Sequence, residues 1–189
     1  HRLGQECAQA RVQVVSGAAR GVDQVSMNAC LELGGSAVGI VADGLERAIV
    51  NPEIRSAIET GSLALVSPYL PSAHFSIANA MNRNKVIYAL ADYSIVVDSA
   101  LQKGGTWQGA QEALRHRWSP VFVRSGEECG AGNSELIRRG GIALTWEQVS
   151  SGRNLEETLQ DICAEHEAAS TPVSDSNSNI LNRDELTNF

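Results

Sequence analysis
Six short apolar runs, rich in β-branched residues, recur along the chain with helix-like segments between them, and this alternation constrains the fold more than any other feature. The expected strands are Val12–Val15, Ala37–Val41, Leu63–Val66, Tyr93–Val97, Val121–Val123 and Ile142–Leu144. Between and after them the patterning predicts helices over Asp23–Leu33, Pro52–Thr60, Ile77–Ala91, Thr106–His116, Ser134–Arg139 and Leu155–Ala168. Strands apolar on both faces and separated by helices belong to a parallel sheet covered on each side. Gly34-Gly35 and Gly140-Gly141 supply helix stops, and Pro52 suits a first helical turn. His1–Ala10 reads as the end of an amphipathic helix, so a preceding strand is expected to lie outside this chain. The expected organisation is one α/β domain over residues 1–152, an acidic helix over 153–169, and a disordered tail over 170–189 rich in Ser, Asn and Asp.

A net charge of −7 over 189 residues argues at first against a nucleic-acid ligand. Its distribution along the chain points the other way. From Arg153 onward eight acidic residues face two basic ones, so the body before it carries 14 acidic and 13 basic residues. A near-neutral body leaves room for a local basic pocket. No apolar run approaches the roughly 20 residues of a membrane span. Cys7, Cys30, Cys129 and Cys163 are scattered, which reads as reduced thiols of a cytoplasmic protein and not as a zinc or disulfide framework.

The stretch Ser16-Gly17-Ala18-Ala19-Arg20-Gly21-Val22-Asp23 follows the first strand directly. Two glycines let backbone approach a ligand closely, and the opening helix offers free N–H groups and a positive dipole end to an anion. Arg20 adds a charged fork suited to phosphate. The plainer reading is a tight turn in which Asp23 caps the helix. The spacing of Gly17 and Gly21 is not the G-x-G-x-x-G of a dinucleotide site. At the end of the second strand Gly44 allows close approach to a ligand, and Arg47 after it either reaches a phosphate or is a solvated charge. Asn82-Arg83-Asn84-Lys85 mixes amides with cations on a helix, a combination that suits phosphates and base edges. Lys103-Gly104-Gly105-Thr106 makes a second glycine turn after the fourth strand, with Thr106 as the expected cap. Trp107 is either a stacking platform or core. No nucleophile–base pair, metal cluster or paired carboxylates stand out, so no catalytic residue, metal or cofactor is expected.

Together these motifs resemble the DprA/Smf family of DNA-processing proteins. The resemblance rests on residues 16–23, the turn at 43–47, N-R-N-K-V-I at 82–87, the run from Val96 to Thr106, and G-x-x-x-L-I-R-x-G at 132–140. It implies an extended Rossmann-like, doubly wound, mostly parallel sheet, here lacking its first strand. It further implies a non-catalytic protein that binds single-stranded DNA in a basic pocket, supports DNA uptake, forms a homodimer and helps load the RecA recombinase. By match to those motifs, Arg20, Arg83, Lys85 and Lys103 are placed on DNA phosphates and Ser16 and Gly17 in the backbone cradle. Gly21, Arg47, Asn82, Gly104, Gly105 and Thr106 complete the expected DNA-binding set. The sequence departs from the family in lacking the opening strand and its glycine-serine-arginine turn. It also carries Gly-Gly-Thr at 104–106 where Ser-Gly is common, and Lys85 where arginine is usual. A second likeness, to LOG-type phosphoribohydrolases, implies a nucleoside-monophosphate enzyme or nucleotide sensor. Their P-G-G-x-G-T-x-x-E motif is only partly present, with no proline and with Glu112 displaced.

Overall fold
The computed structural model describes residues 1–170. The parallel sheet expected from the sequence is present as two three-stranded halves. β1 (Val14–Ser16), β2 (Ala37–Ile40) and β3 (Leu63–Val66) pair in parallel in that order, as do β4 (Ser94–Val96), β5 (Val121–Arg124) and β6 (Ile142–Leu144). The first strand starts two residues later than its apolar run predicts. The Val12 amide is already committed to the Cys7 carbonyl (2.9 Å), and Arg11 turns in the left-handed region at φ 58°.

Helices cover both faces, as the two-sided apolar character of the strands requires. On β5 the side chains divide strictly. Phe122 faces a core cluster with Cys7 of α1 (Arg2–Gln9), Cys30 of α2 (Val22–Glu32), Val149 of α8 (Trp146–Val149), and Leu155 and Leu159 of α9 (Leu155–Ser170). Val121 and Val123 face the other cluster, with Trp107, Ala110 and Ala113 of α6 (Gly104–His116) and Leu136 of α7 (Ala131–Arg138). Strand alternation thus feeds two cores from one strand. Leu155 and Leu159, each 2% exposed, carry the acidic α9 into the first cluster.

Local chemistry explains most helix boundaries. Asn51 caps α4 (Pro52–Glu59) by accepting from the Glu53 amide at 2.8 Å, and Ser76 caps α5 (Ile77–Leu90) by accepting from Asn79 at 3.0 Å. Thr145 and Gln148 form a reciprocal capping box on α8. The short α3 (Leu45–Ala48) follows Gly44. Two expected caps are corrected. The N-cap of α2 is Gly21, and that of α6 is Lys103, in extended backbone. Gly104, at φ 82°, turns the chain before Thr106 is reached, so Thr106 lies inside the first helical turn. The helix predicted from Ser134 likewise opens earlier, with Gly130 as its N-cap. The expected acidic helix runs one residue beyond its predicted tail boundary, to Ser170. The tail over 171–189 lies outside the described residues. Among the described residues no helix is long and apolar enough to cross a membrane, and no cluster of ligating side chains could hold a metal ion.

Candidate functional site
At the C-terminal ends of β1 and β4, the usual place for ligands on an open parallel sheet, lies a cleft of about 430 Å³. Ser16, Arg20, Asp23, Arg83, Asn84, Asp98, Gly105 and Thr106 are among its lining residues. Four segments distant in sequence therefore meet there: the glycine turn after β1, the middle of α5, the end of β4 and the start of α6. The first turns of α2 and α6 both reach this cleft, so two helix N-termini add positive potential to it.

Arg83 is the centre of the arrangement. It is 5% exposed, yet its Nε and Nη1 have no hydrogen-bond partner among the described residues. A buried guanidinium with idle donors is costly and uncommon. Burial pushes its pKa below the ordinary arginine value, while the nearby Asp23 carboxylate pulls it back up. Arginine stays protonated across the physiological range regardless.

The glycine turn is shaped around that side chain. A β-carbon on Gly17 would collide with the Arg83 guanidinium and stand 2.6 Å from the Asp23 carboxylate. Glycine is required here for close approach, not for a special φ. Asp23 is not the helix cap; its Oδ2 accepts a hydrogen bond from the Gly17 amide at 3.1 Å and locks the turn. Sequence reading missed that role because an acid in a first helical turn looks like a cap. On the other wall, Asn84 Nδ2 donates to the Gly105 carbonyl at 3.4 Å and ties α5 to α6. Its place between Arg83 and Lys85 was the available signal.

The structure brings together Ser16, Gly17, Arg20, Arg83, Gly105 and Thr106, and the others take different places. Gly21, exposed at φ 105°, starts α2, and Gly104 starts α6. Lys103 is exposed immediately before it. Asn82 is exposed on α5 and does not line the cleft. Lys85 forms an ion pair with Glu112 at 3.0 Å, both outside the cleft lining. Arg47 is exposed on α3. Gly44 does admit close approach, but of its own chain: its amide donates to the Ala73 carbonyl at 2.8 Å, and a β-carbon would strike Pro71. Trp107 is core, 3% exposed, with the Arg139 guanidinium 5.4 Å from its ring centre.

A family model described as DNA recombination-mediator protein A matches residues 1–153. The chain belongs to that family. Within the DNA recombination-mediator family it is similar to Protein Smf of Escherichia coli (strain K12), with 31% identity over 142 residues. That match takes in 71% of this chain but 37% of Smf, so the chain spans little more than a third of that relative. Two solved structures share the fold. DprA from Streptococcus pneumoniae superposes with a TM-score of 0.64 at 20% identity, over 80% of this chain and 54% of its own. DNA processing protein A from Helicobacter pylori, described for its single-stranded DNA binding mode, gives 0.64 at 23% identity over 84% and 71%. The Rossmann-like fold and the DNA-processing family expected from the motifs are thereby established.

Proposed function
We propose that this chain binds single-stranded DNA by seating a backbone phosphate on Arg83 beneath the Ser16–Gly21 turn. The observation that carries this reading is the buried guanidinium with two idle donors, set between two helix N-termini. A phosphodiester oxygen would supply the acceptor those donors lack, at a residue that lines the cleft. Arg20 at the rim and Lys103 before α6 extend the contact to neighbouring phosphates. Ser16, Gly105 and Thr106 offer backbone and hydroxyl donors to the same strand. The larger role we infer, which membership in the recombination-mediator family supports, is that of a cytoplasmic, non-catalytic mediator that works as a homodimer, supports DNA uptake, and delivers its strand to RecA.

The decisive experiment is anisotropy of a labelled oligo-dT strand at two salt concentrations. Affinity should fall with a slope near −0.7 per phosphate neutralised. No binding at low salt sinks the reading. Binding of AMP without binding of the oligonucleotide transfers the site to a nucleotide sensor. Release of adenine from AMP would restore the phosphoribohydrolase alternative. Against that last outcome, Glu112 is already paired with Lys85 away from the cleft.

A further inference from the structure
Helix α6 ends in Arg115 and His116, and Arg117 and Trp118 follow. Arg115, His116 and Arg117 are all exposed. Arg117 has left-handed backbone, φ 53° and ψ 45°, at the position that ends the helix. That bend sets the imidazole of His116 on the indole of Trp118, with ring centres 5.2 Å apart and planes 13° from parallel. On a continuing helix, residues two apart would point about 200° away from each other. Trp118 is itself packed against the core cluster of Val121 and Leu136, so the stack has a fixed base. Neither Arg115 nor Arg117 has an ion pair among the described residues. Glu112, one turn before Arg115, is held by Lys85.

The dipole of α6 accounts for cations in its last turn. It accounts for neither the stacked rings nor an arginine in left-handed backbone, where glycine is the easier residue. An exposed ring between two solvated guanidinium groups suits a strand with unpaired bases, since bases stack on rings and cations take the phosphates. We propose that the end of α6 is a second contact for single-stranded nucleic acid, with a base stacked on His116 and the flanking phosphates held by Arg115 and Arg117. The first turn of α6 lines the Arg83 cleft and the helix has 13 residues, so the two contacts lie about 20 Å apart. A strand that spans them gains from both. The second contact stands whether or not Arg83 holds a phosphate.

The test measures anisotropy of labelled oligo-dT over a range of salt. It compares the full chain with a paired variant, Arg115→Ala with Arg117→Gly, and repeats both in an Arg83→Ala background. Glycine relieves the left-handed backbone, so the paired variant should melt no lower than the parent chain. Its affinity at low salt should nevertheless fall about tenfold, and its salt slope should flatten by about 1.4, or about 0.7 for each phosphate released. His116→Ala should weaken oligo-dT binding about fivefold and leave an abasic strand of the same length unaffected. Unchanged affinity and slope in the paired variant overturn the proposal. Equal losses on both strands in His116→Ala also overturn it, since no base is then stacked there. A paired variant that binds DNA normally but no longer self-associates overturns it too, because the acidic face of α9 from a second copy then occupies the patch. If Arg83→Ala binds normally and the paired variant does not, the cleft reading fails and this contact remains. No binding by the parent chain at low salt overturns both.

Discussion

Arg83 and Lys85 stand two residues apart on α5 and lead opposite lives. Arg83 is buried against the Gly17 turn with idle donors, whereas Lys85 is half-exposed and holds Glu112 at 3.0 Å. Two residues on a helix are about 200° apart, so one cation faces the sheet and its cleft while the other faces α6 at the surface. The difference teaches how to sort cations in a site like this one. A charge that already has a partner serves the fold; a charge kept from water without one is available to a ligand.

The largest expected effect comes from Arg83→Ala. Loss of hydrogen bonds from a charged donor costs about 1.5–3 kcal/mol, so oligo-dT affinity should fall roughly 10–100-fold. Thermal stability should hold or rise, because two of the buried donors removed had no hydrogen-bond partner. Unchanged affinity would erase the contrast between the two cations. Gly17→Ala ranks next. Its β-carbon takes the space of the guanidinium, at a cost of about 1–3 kcal/mol in denaturant unfolding. Combined with Arg83→Ala the part of that cost owed to the guanidinium should disappear, leaving the crowding against the Asp23 carboxylate, a coupling that a double-mutant cycle reads directly. Strict additivity would mean the two residues do not touch. Arg20→Ala, at the solvated rim, should weaken binding only a few-fold and flatten the salt slope by about 0.7. The smallest effect belongs to Lys85→Ala, with stability changed by less than about 1 kcal/mol and DNA affinity within about twofold. A large loss of binding there would show that Lys85 leaves Glu112 for the DNA.

The order and type of the elements were legible because hydrophobic periodicity is local. Leu63–Val66 and Ile142–Leu144 appear with the predicted limits. Where boundaries moved, a contact distant from the pattern moved them, as with Val12 bonding back to Cys7. The glycine turn was legible as a place of close approach, but the group that approaches it was not. That group lies more than sixty residues away on α5, and only the rotation of that helix against β1 selects Arg83 over Lys85. The same limit applies to Asp23, whose carboxylate reads as a cap until the Gly17 amide is seen to occupy it. Gly44 makes the point in reverse. Its sequence setting suggested a ligand contact, and the loop at 71–73 fills that space instead.

The idle donors of Arg83 also tie the endurance of the fold to its surroundings. An anion that binds the folded chain and not the unfolded one raises the unfolding free energy by RT ln(1 + [L]/Kd), about 2.7 kcal/mol at a hundredfold excess over Kd. The melting temperature then becomes a gauge of occupancy, and the domain is most vulnerable to heat and proteases when no anion is bound. Arg83→Ala should blunt that gauge, narrowing the gap between the melting temperatures with and without DNA.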